Sequence, residues 1–230
     1  MIVRDVHQVF FEIAGAPSAG EAEGGSFRKV QPTAGRAQLP SNVRYLALDQ
    51  GSLRIGWASG YPDMEAPTFG TYTPPSLRAP NGEDLIGVVL EGIEGFLLDR
   101  FGKGVTHVFL ESVYFDDAQR SNPVTFAKLA TVKNFVEYVC LKNRTQIMRC
   151  EVVEPAQWRK HFLGYADKRG LQPGVASSLK SEAIMLCGRL GWSVHNEHEA
   201  EACGILSWAL ASNFPDYAIK TAPLFQGRGL

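Results

Sequence analysis

The stretch between residues 45 and 58 constrains the fold more than any other, because two apolar runs there flank a short polar turn. The first run, residues 45–48, ends in Asp49, and a Gly-Ser turn leads to the second run, residues 55–58. This pattern predicts a β-hairpin with a buried first strand. A carboxylate at the end of a buried strand is costly unless it is paired or binds a cation. Asp49 is therefore either a turn residue that caps its own backbone or part of an acidic site.

Length and composition fit one globular domain with additional terminal segments. The chain has 230 residues, of which 45% are hydrophobic and 20% are charged, and this is enough for one sizeable core. Residues 1–42 include a long segment rich in Gly, Ala, Ser and Pro, and we expect them to form a flexible N-terminal arm. The folded domain is expected to cover residues 43–213, followed by a C-terminal tail at residues 214–230.

Charge, cysteines and hydropathy exclude several classes of protein. The formal net charge is -1, so a nucleic-acid partner would need a local basic patch. The four cysteines are widely spaced among apolar neighbours, which predicts buried free thiols in a reducing compartment. No apolar run has the length of a transmembrane helix, and the first residues do not form a secretion signal. We therefore expect a cytoplasmic protein without a membrane partner.

Hydrophobic periodicity predicts an α/β fold. The predicted strands cover residues 45–48, 55–59, 68–73, 105–110 and 145–153, and the predicted helices cover residues 83–101, 122–141, 155–163, 177/178–190 and 199–211. On the second helix, the apolar stripe is expected to consist of Phe126, Leu129, Phe135, Val136 and Val139. Three consecutive strands form an antiparallel meander, and the later helices cross over to added parallel strands. The result is a mixed five-stranded sheet flanked by helices.

Two further acidic positions extend the pattern that begins with Asp49. Glu111 follows a continuous apolar run, residues 105–110, and so ends a second buried strand. On the last predicted helix, one face carries His198, Glu201, Ile205 and Trp208. A buried helix face that begins with His and Glu packs poorly unless those groups have a function. The alternative is that the acids near the start of this helix interact with the helix dipole.

Together, Asp49, Glu111, His198 and Glu201 predict a metal site. Like-charged carboxylates that converge in a cleft repel one another, and divalent cations relieve that repulsion. Oxygen ligands favour Mg²⁺ or Mn²⁺, and a histidine is compatible with Mn²⁺. Two such ions about 3.5–4 Å apart can activate a water molecule and stabilise the leaving oxygen of a phosphodiester.

These motifs and their order resemble those of the RuvC-type Holliday junction resolvases, crossover junction endodeoxyribonucleases of the ribonuclease-H-like superfamily. The resemblance spans about residues 43–211. Asp49-Gln-Gly-Ser resembles the first-strand motif of the family, whose Asp binds metal. Glu111-Ser-Val-Tyr resembles the second acidic motif, and His198-Glu-Ala-Glu201 resembles the C-terminal motif. The family has Asp at the last position, where this chain has Glu201, one methylene longer. The compact, diverged sequence also resembles phage or prophage versions.

The resemblance implies several residues that contact DNA. Tyr114, three positions after Glu111, occupies the place of an aromatic residue that stacks at the parted junction. Arg159 and Lys180 occupy basic positions of the family and would contact phosphates. Lys168 and Arg169 either extend the same basic edge or are ordinary solvated charges.

The implied activity is metal-dependent cleavage of branched DNA. The family acts as a homodimer in which each subunit nicks one of two opposed strands, and helix 122–141 occupies the position of its subunit-pairing helix. The implied partner is a four-way junction, and the implied cofactors are two Mg²⁺ or Mn²⁺ ions. Three alternatives stay open: a non-catalytic protein that binds branched DNA on the same fold, a phosphotransferase of the actin-like kinase group, and a related nuclease that acts on RNA.

Overall fold

The computed structural model of the protein describes residues 43–51, 54–75, 86–113, 122–167, 178–214 and 217. The predicted arm, residues 1–42, and the predicted site residues Tyr114, Lys168 and Arg169 lie outside these ranges. The strands are β1 (Arg44–Gln50), β2 (Ile55–Gly60), β3 (Thr68–Tyr72), β4 (Val105–Glu111) and β5 (Arg149–Val153). The helices are α1 (Ile86–Gly102), α2 (Pro123–Lys142), α3 (Pro155–Phe162), α4 (Leu179–Arg189) and α5 (Glu197–Asn213).

The strands form one mixed sheet in the order β3-β2-β1-β4-β5. β1 pairs antiparallel with β2, and β2 pairs antiparallel with β3, so the predicted meander is confirmed. β4 lies parallel to β1, and β5 lies parallel to β4. The central strand is therefore β1, the strand that carries Asp49, and it is buried along almost its whole length.

Alternating side chains divide the core between the two faces of the sheet. On one face, Tyr45 and Phe109 stack with ring centroids 5.5 Å apart and pack among residues of α3, α4 and α5. On the other face, Leu46 and Leu110 pack among residues of α1 and α2. Among the helices of the described ranges, none has the length and apolar character needed to cross a bilayer.

The predicted apolar stripe of α2 is partly wrong. Phe126, Leu129 and Phe135 are only half-buried. The buried residues of the helix are Val132, Val136, Val139 and Cys140. All four lie at or after position 132, so the apolar spacing that includes Phe126 and Leu129 does not indicate burial in the core. The predicted cap is correct: Asn122 Oδ1 accepts a hydrogen bond from the backbone N–H of Val124 at 2.9 Å.

Two other local predictions are wrong in part. The strand predicted from residue 145 begins at Arg149, because residues 143–146 form a turn that follows α2. Of the four cysteines predicted to be buried, Cys150 is exposed. It lies on β5, an outer strand of the sheet among the described elements, whose side chains are less covered than those of β1 and β4.

Helix α5 lies close to the sheet and to α3 because glycines stand at the contacts. A Cβ on Gly56 of β2 would overlap the backbone carbonyl of His198. A Cβ on Gly204 would lie 2.7 Å from Cε3 of Trp158 and 3.0 Å from Cδ1 of Phe162. Contacts this short are not sustained by real side chains, so these two glycines determine how closely α5 approaches β2 and α3.

Gly204→Ala is expected to destabilise the protein by about 1–3 kcal/mol, because the added methyl group would overlap Trp158 in a filled part of the core. The matched control is Gly95→Ala in α1, where no described atom outside the helix lies within 4 Å of the added Cβ. That substitution should stabilise the protein by up to about 1 kcal/mol through helix propensity. Urea unfolding measures both changes, and equal responses would contradict the close packing described for α5.

Candidate metal centre

Two acidic side chains stand at the carboxyl ends of adjacent parallel strands. Leu48 of β1 pairs with Leu110 of β4, so Asp49 and Glu111 are the next residue on each strand. Because side chains alternate along a strand, both acids project from the face that carries Tyr45 and α5. Neighbouring strand ends thus bring together two residues that are far apart in the sequence, as the repeated pattern predicted.

Helix α5 brings an imidazole and a third carboxylate to the same place. The helix begins after Asn196, whose side-chain oxygen accepts a hydrogen bond from the backbone N–H of Glu199 at 3.1 Å. Two residues later, Nδ1 of His198 lies 2.6 Å from Oδ2 of Asp49. One ligand atom from each of Asp49, His198 and Glu201 lies within 4.8 Å of the others. The start of α5 is therefore part of the candidate site.

Glu111 adjoins this cluster and is held by α3. The indole N–H of Trp158 donates a hydrogen bond to Oε1 of Glu111 at 2.7 Å. Nη2 of Arg159 lies 3.5 Å from the same oxygen and 3.6 Å from Oε1 of Glu201. Because one guanidinium nitrogen makes both contacts, the carboxylates of Glu111 and Glu201 are close neighbours. Glu111 thus lies beside the cluster that the other three residues predicted as metal ligands form.

Burial and neighbouring negative charge raise the pKa values of Glu111 and Glu201. Burial raises the pKa of Glu111 to about 7, and the charge of Asp49 adds to the rise. Burial raises the pKa of Glu201 to about 8, with further contributions from Asp49 and Glu111. The hydrogen bond with Asp49 raises the pKa of His198. A divalent cation would offset this negative charge, and three carboxylates with one imidazole suit Mg²⁺ or Mn²⁺.

Arg159 and Lys180, the predicted DNA-contacting residues that lie within the described ranges, differ in their surroundings. Arg159 lies between the carboxylates, with 23% of its side chain exposed. Lys180, at the start of α4, is 48% exposed and donates a hydrogen bond to Oε1 of Glu197 at 2.8 Å. Burial alone lowers the pKa of Lys180, but this hydrogen bond and the charges of Glu201 and Asp49 outweigh it and raise the pKa. Both positive groups therefore adjoin the acidic cluster.

Glu199, for which the sequence pattern predicts no separate role, is a buried acid that links structural elements. Its carboxylate accepts hydrogen bonds from Oγ1 of Thr71 at 3.0 Å and from the backbone N–H of His195 at 2.8 Å. Burial by itself raises the pKa of Glu199, but these hydrogen bonds outweigh that effect and lower it. Glu199 thus ties the start of α5 to β3. Nothing local in the sequence distinguishes it from the exposed Glu197.

Trp158 is the second residue without a predicted role. It is fully buried, and its indole N–H is the closest described donor to Glu111. An aromatic residue in a short amphipathic helix predicts core packing, and the ring is indeed in the core. The contact of its nitrogen with an acid on β4 depends on tertiary structure, so no sequence pattern could have indicated it.

Comparisons with known proteins identify solved structures of similar fold. No protein-family model matches the chain, and no curated protein matches it. Among solved structures, Thermus thermophilus RuvC in complex with a Holliday junction substrate is 12% identical, with a TM-score of 0.52, over 74% of this chain and 94% of that chain. A further T. thermophilus RuvC structure is 14% identical, with a TM-score of 0.50, over 75% and 97% of the two chains.

The yeast mitochondrial Holliday junction resolvase Ydc2 is 9% identical, with a TM-score of 0.50, over 78% of this chain and 84% of that chain. Similarity at these identities concerns the fold. Together with the observed sheet order, it shows that the chain has the predicted ribonuclease-H-like α/β fold.

The raised pKa values predict how pH affects the metal-free protein. Above about pH 4.5, folded Glu111 holds a proton up to about pH 7 and folded Glu201 up to about pH 8, whereas the unfolded chain has released both. The free energy of unfolding should therefore fall as the pH rises through this range. Because Mn²⁺ must displace these protons, it should raise Tm more at about pH 8.5 than at about pH 6. Thermal unfolding with Mn²⁺ or with a chelator measures both effects.

Glu201→Gln provides the control for this measurement, because the amide does not ionise. In this variant the fall of stability with pH should be smaller, and Mn²⁺ should raise Tm less. An unchanged pH dependence would contradict the raised pKa of Glu201.

Proposed function

We propose that the protein is a metal-dependent, structure-selective DNA endonuclease that resolves four-way junctions or related branched DNA by paired nicking. The observation that carries the proposal is the convergence of Asp49, Glu111, His198 and Glu201 at the carboxyl ends of β1 and β4. Further support comes from the solved structures of similar fold, which include a RuvC in complex with a Holliday junction substrate and a mitochondrial Holliday junction resolvase.

The four converging residues would hold two divalent cations, Mg²⁺ or Mn²⁺. Bound cations supply an activated water molecule and stabilise negative charge on the leaving oxygen of a phosphodiester. Only 4% of Asp49 and 4% of Glu201 is exposed, so bulk water has little access to their carboxylates. The contact between Nδ1 of His198 and Oδ2 of Asp49 would orient the imidazole ring and leave Nε2 as the nitrogen that can act as a ligand.

Positive groups beside the acids would bind the DNA backbone. The ion pair between Lys180 and Glu197 is exposed, and pairs of this kind contribute little to stability, so a phosphate can replace Glu197 at low cost. Arg159 would add positive charge near the phosphate that is cut. The remaining proposed DNA contacts, all outside the described residues, are base stacking by Tyr114 and phosphate contacts by Lys168 and Arg169.

We also propose that two copies of the chain pair through α2. Val124, Tyr138 and Leu141 on this helix are 64%, 55% and 64% exposed. Tyr138 and Leu141 are three residues apart, and Val124 lies about four turns before Tyr138, so the three share one side of the helix. Exposed apolar surface of this kind is typical of protein interfaces. A second copy is the proposed occupant because the family resemblance places subunit pairing at this helix.

The nuclease proposal predicts that Mn²⁺ or Mg²⁺ supports symmetric paired nicks in a labelled four-way junction but not in linear duplex. Asp49→Asn should reduce the nicking rate by more than the roughly 10- to 100-fold that follows loss of an outer-shell partner of a metal, because it removes a direct ligand. Junction binding by this variant should survive. Nicking and gel-shift assays on four-way, Y-shaped and linear DNA measure the two properties.

Asp99→Asn, which removes an exposed carboxylate of α1, is the matched control and should cut like the wild type. Wild-type nicking by Asp49→Asn would refute the site. Junction binding by the wild type without any cutting would favour a non-catalytic junction-binding protein instead.

The dimer proposal predicts that Tyr138→Glu produces a monomer, because it places a charge in the middle of the apolar surface of α2. Leu98→Glu introduces the same charge at a 43%-exposed apolar position of α1 and should leave the dimer intact. Analytical ultracentrifugation of the full chain distinguishes the two states. A wild-type protein that sediments as a monomer at all concentrations would refute the pairing.

A further inference from the structure

We propose that Trp158 is a positioning residue for Glu111, whose carboxylate it orients for the metal centre through its indole N–H. The inference rests on the proposed function, since it concerns the same site. It assigns a role to a residue for which neither the sequence pattern nor the family resemblance provided one.

The first observation is the hydrogen bond itself. An indole has one N–H donor and no acceptor, so a buried Trp needs one well-placed acceptor. Trp158 is fully buried, and its donor lies 2.7 Å from Oε1 of Glu111. This distance is at the short end of the range for N–H···O hydrogen bonds. The indole therefore restricts the orientation of the carboxylate.

The second observation is that the indole ring is closely packed. It lies against Gly204 of α5, where there is no room for a Cβ between the helix and Cε3 of the ring. Gly204 follows Glu201 by three residues, nearly one helical turn. One aromatic side chain thus contacts the helix that carries Glu201 and binds the acid on β4. The relative placement of Glu111 and Glu201 depends on this ring.

The third observation concerns which oxygen of Glu111 is engaged. Within the described residues, both polar contacts of its side chain are made by Oε1, one with Trp158 and one with Arg159. This leaves Oε2 as the oxygen that can face a cation. Groups that hold the outer oxygen of a ligating carboxylate orient the ligand, and their loss typically costs 10- to 100-fold in metal affinity or activity.

Trp158 fits this role better than Arg159 does. The guanidinium nitrogen is 3.5 Å from Oε1, and the Arg159 side chain is 23% exposed. At that distance the contact is mainly one of charge, and a long, partly exposed side chain has several alternative positions. The indole is closer to Oε1, is fully buried and packs closely against Gly204. Arg159 therefore places positive charge near both Glu111 and Glu201, whereas Trp158 orients the carboxylate of Glu111.

The test is the Mn²⁺ affinity of the purified full chain, measured by calorimetry without DNA. Trp158→Phe keeps an aromatic ring but removes the N–H, and the affinity should fall by about 10- to 100-fold. Trp192→Phe is the matched control: Trp192 belongs to the same core cluster and stacks on Phe162, with ring centroids 6.3 Å apart. Its replacement removes an indole from the same core and should leave Mn²⁺ affinity unchanged.

A double-mutant cycle with Glu111→Gln distinguishes an effect of Trp158 on Glu111 from a general disturbance of the metal centre. If Trp158 acts through Glu111, Trp158→Phe should cause little further loss of affinity in the Glu111→Gln background. A full additional loss there would overturn the proposal. If the Trp158→Phe variant does not fold, a protein with benzothienylalanine at position 158 is measured instead. This analogue keeps the size of the indole but has sulfur in place of the N–H.

The outcomes separate this proposal from the nuclease proposal. Wild-type Mn²⁺ affinity in Trp158→Phe or in the benzothienyl protein overturns the positioning role and leaves the nuclease proposal standing. Strong Mn²⁺ binding by the wild type that depends on Trp158, without cleavage of any DNA, supports the positioning role and overturns the nuclease. Absence of Mn²⁺ binding by the wild type overturns both.

Discussion

Repulsion between buried carboxylates is the constraint on which the rest of this structure depends. Asp49, Glu111 and Glu201 repel one another when ionised, and burial together with this repulsion raises the pKa values of Glu111 and Glu201. Such an arrangement persists only if the surrounding core holds the acids in place and if positive or donor groups oppose the repulsion. His198, Trp158 and Arg159 are those groups.

The acids are positioned by the buried centre of the sheet and by the closely packed helix α5. Two acids end parallel strands at the centre of the sheet, and the third lies on a helix that glycines allow to approach closely. The core packing that stabilises the domain is thus the same packing that positions the candidate ligands. A change in the contact between α5 and α3 would affect both the stability of the protein and the geometry of the metal centre.

Features that depend on local pattern could be predicted from the sequence. The hairpin around Asp49, the meander and the strand that ends in Glu111 follow from apolar runs and turn residues, and all are present. The stripe of α2 was predicted less well. A helix with apolar residues on several sides does not reveal which side meets the sheet, and Phe126 and Leu129 are only half-buried.

The sequence by itself determined which chemical groups end the central strands and begin the last helix, because strand ends and helix faces follow from the spacing of residues. Tertiary structure alone decided which side chains hold those groups. Trp158 meets Glu111 across 47 positions, and Thr71 meets Glu199 across 128. Contacts at such separations depend on how sheet and helices pack, and the periodicity of a single element contains no information about its packing partners.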